Sequence, residues 1–233
     1  MTFSIVGRCD ATAQFGIAVS SSSPAVAARC AHARAGVGAV ASQNVTDPRL
    51  GPHTLDAMAN GLTADAAITS VIAATSHTAY RQLLAVDNTG QTAIFSGSNT
   101  LGINAECQSQ NAAAAGNLLA NTTIPASMVA AFQQTKGHLG NRLIAAMFAG
   151  LEAGGEAGKV HSAGLLIVDR QDWPLAELRC DWTEDCPIAA ISTAWDVYKR
   201  QVGALFGCAA NAHRVWMTQK ILTATTQQNK PIR

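Results

Sequence analysis

The chain has 233 residues, 48% of them hydrophobic, 13% charged and 5% aromatic, enough to bury a substantial core from small side chains. Sixteen Lys and Arg against fifteen Asp and Glu leave a formal net charge of +1, so no broad field draws in nucleic acid or an anionic membrane. There is no charged start followed by an apolar h-region and no run near the ~20 apolar residues of a membrane span, so the protein is expected in the cytoplasm.

The first element opens at Thr2, directly behind the initiator, in the run Thr2-Phe3-Ser4-Ile5-Val6-Gly7. A small second residue lets the methionine be trimmed, which would leave one residue carrying both a hydroxyl and a free α-amine. A hydroxyl is a poor nucleophile at its own pKa and needs a base within reach; an α-amine titrating near ~7.7 to 8.0 can be that base. Threonine is also a good strand former, so the same residue suits the start of an edge strand.

Residues 3 to 8 and 15 to 21 are apolar runs joined by Cys9-Asp10-Ala11-Thr12-Ala13-Gln14, which reads as a hairpin. The alanine-rich stretch from 24 to 34 suits a short helix or an extended connection. A strand follows at 36 to 42, where Gly36 and Gly38 suggest close backbone approach. After a turn at 46 to 52, His53 to Asn60 has helical spacing and stops at Gly61; Thr63 and Asp65 then open a second helix. Arg81 to Val86 and Gln91 to Phe95 form a hairpin around Asp87-Asn88-Thr89-Gly90. Helices are expected at 124 to 134 and 139 to 153, a buried strand at 162 to 168, and a helical tail from about Pro187.

Hairpins outnumber strand-helix-strand crossovers in that order of elements. The fold class is therefore α+β, with two mostly antiparallel sheets stacked between two helical layers. The expected division is a domain over 1–200 and a helical extension with a polar tail over 201–233. The C-terminal stretch holds Trp182, Trp195, Tyr198, Phe206 and Trp216, and aromatic enrichment of this kind suggests a homo-oligomer, most simply a homodimer.

The six cysteines show no C-x-x-C pair, and the histidines show no H-x-x-x-H spacing, so no metal site is expected. Gly36-Val37-Gly38 lacks the third glycine and helix start of a dinucleotide fingerprint, and no G-x-x-x-x-G-K-[ST] occurs, so no nucleotide cofactor is expected.

Several polar residues stand where chemistry could use them. Ser21 ends the second strand, beside the start of the first, and could hold the α-amine or donate to a reacting oxygen. Gln43 and Asn44 follow a strand and could offer amides to an oxyanion, or simply satisfy their own turn. Arg81 has the forked geometry that suits a substrate carboxylate, or a salt bridge to Asp87 or another surface acid. Asn117 follows Gly116, where a backbone can approach a ligand closely, although Gly-Asn also makes turns. Glu156 and His161 flank Gly158 in a loop where acid and imidazole could titrate together, or where both are simply solvated.

Thr2-Phe3-Ser4-Ile5-Val6, Gly16-Ile17-Ala18-Val19-Ser20-Ser21, the run from Ala33 to Gln43, Arg81-Gln82, Gly116-Asn117-Leu118-Leu119, Arg142-Leu143 and Ala153-Gly154-Gly155-Glu156 together resemble the DUF1028 family. The similarity runs in order to about residue 200 and includes Asp181-Trp182 and Pro187-Ile188-Ala189. Members of that bacterial family resemble the N-terminal nucleophile hydrolase fold. The resemblance implies a four-layer α/β/β/α sandwich in which the first mature residue attacks an amide carbonyl, its α-amine relays the proton and nearby side chains bind the oxyanion. The chain departs from the family pattern at Ser23-Pro24, where two bulky aromatics are common, and at Lys159 and His161, which replace an arginine and a glutamine.

These readings combine into a cofactor-independent hydrolase of an amide bond in a small polar substrate. Thr2, Ser21 and Asn117 would do the chemistry, while Gln43, Asn44, Arg81, Glu156 and His161 would bind substrate. Two other readings stay open: a cyclic-amide hydrolase that does not use Thr2, and a non-catalytic small-molecule binder on the same fold.

Overall fold

The computed structural model describes residues 1–209. Ten strands form two sheets, one of six in the order β10-β9-β2-β1-β8-β7 and one of four in the order β3-β4-β5-β6. Their spans in chain order are β1 Thr2–Arg8, β2 Phe15–Ser21, β3 Ala31–Arg34, β4 Gly38–Asn44, β5 Arg81–Asp87, β6 Thr92–Ser96, β7 Ala105–Ser109, β8 Ala112–Asn117, β9 Ser162–Val168 and β10 Ala176–Cys180. Every pairing is antiparallel. Six helices accompany them: α1 Ala27–Cys30, α2 Leu50–Ala59, α3 Ala64–Ala73, α4 Ile124–Gln134, α5 Leu139–Glu152 and α6 Pro187–Ala209.

Side chains alternate across a strand, so each strand here buries two different sets. Val6, Phe15, Ile17, Ala113 and Ala115 of the six-stranded sheet pack against Ala39, Ala41, Leu84 and Val86 of the four-stranded one. The intervening residues Val40, Leu83 and Ala85 turn the other way, onto Leu55, Met58, Ile68 and Val71 of α2 and α3. Likewise Phe3, Ile5 and Gly7 of β1 turn from Val6 toward α4 and α5; a Cβ on Gly7 would lie 2.7 Å from the Phe132 ring.

Helix α4 and strands β2 and β9 have their expected limits, and β5, β6 and α5 come within a residue of theirs. Strand β4 runs Gly38–Asn44 rather than 36 to 42, because Gly36, at φ 71°, belongs to the turn before it. The 24 to 34 stretch holds both alternatives in sequence, the short α1 and then β3. Helix α2 begins at Leu50 rather than His53, because Pro52 falls in the first turn, where its missing N–H is not needed. Strands β7, β8 and β10 had no counterpart in the expected order. β8 is the consequential one: its four alanines carry no alternation, yet it lies directly beside β1. Asn117 therefore ends a central strand instead of making a turn.

Met1–Ala194 form one compact unit and a second begins at Trp195. Of the expected 201–233 extension, residues from 210 onward, Trp216 among them, lie outside the described ones. Among the described residues no helix is long and apolar enough to cross a membrane, and no group of three or more His, Cys, Asp or Glu could hold a metal ion.

Candidate active site

The register of four neighbouring strands lines up one row of polar side chains at one end of the six-stranded sheet. Thr2 is the partner of Asn117 across β1 and β8, and Ser21 is the partner of Ser162 across β2 and β9. Since Phe3 pairs with Ser20, Thr2 stands beside Ser21. Alternation from Val6, Ile17, Ala115 and Val168 puts all four on the face toward the second sheet. The row Ser162, Ser21, Thr2, Asn117 is buried, with exposures of 0%, 0%, 5% and 1%.

Two hydroxyls meet at its centre, with Thr2 Oγ1 3.4 Å from Ser21 Oγ. Both also reach the carbonyl oxygen of Met1. Ser23 N–H donates to Ser21 Oγ at 3.0 Å, occupying a lone pair and leaving the Ser21 proton for that carbonyl oxygen. Met1 thus covers Thr2, and its side chain lies over Gly158, where a Cβ would be 3.4 Å from the Met1 Cε.

Glu156 stands behind the row. The loop that carries it is zipped to the residues after β8, with Ala120 N–H on Gly155 O and Ala157 N–H on Leu118 O, and Ser22 N–H donates to both carboxylate oxygens at 3.3 and 3.1 Å. Burial pushes the Glu156 carboxyl up to about 7, against the pull of the chain's terminal ammonium, the Ser22 hydrogen bonds and His161. His161 extends β9 beside Ser21, its N–H donating to Ser21 O. Its ring stacks on Trp182 at 4.3 Å, and its Nδ1 is 2.9 Å from Thr183 O. A carbonyl can only accept, so Nδ1 carries a proton and donates to it.

On the other side of Thr2 a chain of amides fills the space between the sheets. Ser4 Oγ donates to Gln43 Oε1 at 2.6 Å, and Gln43 Nε2 donates to Gln82 Oε1 at 2.8 Å and Ala115 O at 3.2 Å. Gln82 Nε2 donates to Ser96 Oγ at 2.9 Å and Gly116 O at 3.3 Å, and Asn117 Nδ2 donates to Gln82 Oε1 at 3.2 Å. Both Gln43 N–H groups are therefore committed, and none is left for an oxyanion. Asn117 Oδ1 is buried with no partner.

Two expected residues lie elsewhere. Arg81 neighbours Gln82 on β5 and so faces the opposite way; it donates to Val45 O and lies close enough to Asp47 to help lower that carboxyl. Arg49, hydrogen-bonded to Asp47, is the main cause of that lowering, to about 2. Asn44 has φ 72° and spends its amide on Tyr80 O and Leu101 N–H, which makes it a loop fastener. Asp87, one alternative partner for Arg81, instead accepts from Ala64, Thr89 and Gln91.

A cavity of about 330 Å³ adjoins the Glu156 loop, lined by Gly158, Lys159, Glu184, Asp185 and Cys186 besides Glu156 itself. A larger one, about 560 Å³, lies among Asp47, Arg49, His53, Ser70 and Thr75, on the α2 and α3 side of the second sheet. Thr2 lines neither.

Sequence reasoning passed over Ser4, Gln82, Ser22, Ser23 and Ser162. Gln82 had a usable signal, because an uncharged polar residue at the head of the apolar run Leu83-Leu84-Ala85-Val86 must find a buried partner. The serines gave none, since only the strand register shows which of them converge.

A family model described as a family of unknown function, DUF1028, matches residues 2–191. The crystal structure of protein SPO2555 from Silicibacter pomeroyi, described as DUF1028, is similar at a TM-score of 0.78 and 29% identity, over 86% of this chain and 88% of that one. A structure of Anbu (ancestral beta-subunit) from Yersinia bercovieri is similar at a TM-score of 0.40 and 10% identity, over 87% of this chain and 96% of that one. No curated protein matches the chain.

Proposed function

The chain belongs to the DUF1028 family, and within it we propose that this protein is a cofactor-independent hydrolase of an amide bond in a small polar substrate, with Thr2 as nucleophile after loss of Met1. The proposed scaffold is a four-layer α/β/β/α sandwich of the N-terminal nucleophile type. What supports that finer reading is the packing of α2 and α3 on one sheet, α4 and α5 on the other, and the sheets on each other.

A single observation carries the reading: a carbonyl oxygen, that of Met1, already sits where the Thr2 and Ser21 hydroxyls both reach it. Once Met1 is gone, a substrate carbonyl can take the same position. The freed α-amine accepts the Thr2 hydroxyl proton while Oγ1 bonds to the carbonyl carbon, and Ser21 donates to the oxygen on which charge develops. The C–N bond then breaks, the leaving nitrogen carries away the proton, and water hydrolyses the Thr2 ester, restoring the hydroxyl and releasing the acid.

Intact-mass measurement on protein purified from its native host, followed by reaction with a p-nitrophenyl ester, tests this. The expected result is a chain lacking Met1 that gains one acyl group on Thr2. Complete retention of Met1 would overturn it.

A second reading rests on Glu156, whose carboxyl burial raises to about 7 at the wall of the 330 Å³ cavity. A cyclic amide there could be opened by water with Glu156 as the base, without Thr2. Turnover that survives Thr2→Ala and is lost in Glu156→Gln would select this reading over the first.

A further inference from the structure

Among the described residues, four buried side-chain atoms lack a partner: Arg8 Nε, Gln14 Oε1, Arg81 Nε and Asn117 Oδ1. Only the last belongs to a cross-strand partner of Thr2, and Asn117 is 1% exposed. Native proteins seldom leave a dry acceptor empty, and an orphan beside a reactive group points to a ligand donor that fills it.

The orientation of this amide is fixed by its neighbours. Ala115 O and Gly116 O are carbonyls that can only accept, so the nitrogens of Gln43 and Gln82 must face them. Gln82 Oε1 is then turned toward Asn117, and only the Asn117 nitrogen can meet an acceptor there. Reversing Asn117 would set oxygen against oxygen, and reversing Gln82 with it would set Gln82 Oε1 against Gly116 O. Two adjacent carbonyls of β8 thereby dictate, through two glutamines, that Asn117 offers its oxygen as the open atom. The chain continues to Ser96 and Glu106, where Ser96 Oγ donates to Glu106 Oε2 at 3.0 Å, so the orientation is held from the sheet edge inward.

We infer that Asn117 Oδ1 accepts the N–H of the scissile amide, with Gln82 as its positioning residue, and so restricts the substrate to amides whose nitrogen keeps a hydrogen. The inference rests on the Thr2 reading above. An ester or a fully substituted amide placed at Thr2 offers no N–H to this acceptor and would gain nothing from it. A primary or secondary amide supplies the missing proton and is held with its carbonyl carbon beside Thr2.

The test compares three probes with a common acetylglycyl group on protein lacking Met1: the p-nitroanilide, its N-methyl analogue and the p-nitrophenyl ester. The N-methyl compound should react about 10- to 100-fold more slowly than the anilide, as the loss of one buried hydrogen bond implies. Asn117→Leu should lower kcat/KM for the anilide about 10- to 100-fold more than for the ester. Gln82→Met should reduce the anilide-to-ester ratio in the same direction. Equal rates for the two anilides, or a ratio that none of these variants moves while Thr2 is still acylated by the ester, would overturn the inference alone. Absence of any Thr2 adduct from all three would overturn the Thr2 reading and the inference together.

Discussion

Thr2 Oγ1 and Ser21 Oγ lie 3.4 Å apart on adjacent strands, and the carbonyl oxygen of Met1 is within reach of both. In the proposed mechanism Thr2 attacks and Ser21 donates to the oxygen on which charge develops. Thr2→Ala should abolish acylation by a p-nitrophenyl ester. Ser21→Ala should slow it by about 100-fold or more, the usual consequence of removing one donor to an oxyanion. Time-resolved intact-mass measurement of the acyl adduct checks both, and a Ser21→Ala rate near that of the parent would remove Ser21 from the mechanism.

The Glu156 carboxyl is raised from 4.5 to about 7, chiefly by burial, so between those values the native state holds a proton that the unfolded chain has released. Stability should therefore fall as pH rises from about 4.5 to about 7 and level off above that. Glu156→Gln cannot ionise and should lack this slope. In thermal melts the parent should lose roughly 5 °C more than the variant across that window. Parallel curves for the two proteins would mean that Glu156 is solvated and ordinary.

Much of the fold was legible because alternation and turn chemistry are local. The β5–β6 hairpin announced itself by Asp87-Asn88-Thr89-Gly90, and Thr63 marked the start of α3, where its side chain accepts from Ala66 N–H. The site was legible only in part. Thr2, Ser21 and Asn117 stand on neighbouring strands, but which way the Asn117 amide points depends on Gly116 O and Gln82, a relation that exists only once β8 is placed beside β1. Arg81 shows the reverse case. Its chemistry suited a carboxylate, and one step of strand alternation from Gln82 turned it away from Thr2.

Asp87 is 3% exposed and fastens the hairpin to the helix layer. One of its oxygens accepts from Thr89 N at 2.9 Å, Thr89 Oγ1 at 2.7 Å and Gln91 N at 3.1 Å, while the other accepts from Ala64 N at 3.0 Å at the start of α3. Asp87→Asn keeps one acceptor oxygen and sets an NH2 group against a donor that it cannot satisfy. Chemical denaturation should show a loss of about 2 to 4 kcal/mol, more than an average substitution costs. A loss below about 1 kcal/mol would mean that the α3 bond is dispensable.

Gly36 and Gly38 both looked like positions of close backbone approach, and the structure separates them. At Gly38 a Cβ would lie 2.3 Å from Val86 O, a backbone atom of the paired strand that cannot step aside without breaking the β4–β5 ladder. At Gly36 nothing lies within 4 Å, but φ is +71°, so the demand there is conformational. Gly38→Ala should therefore cost about 2 to 3 kcal/mol through steric displacement, and Gly36→Ala about 1 kcal/mol through backbone strain. Replacing Gly36 with Asn, which tolerates the left-handed region, should recover part of the second loss, whereas Gly38→Asn should be no better than Gly38→Ala. Denaturation midpoints of the four variants decide the matter: equal losses at the two positions would mean that the sheet yields at Val86 and that β4 and β5 are less tightly paired than their register implies.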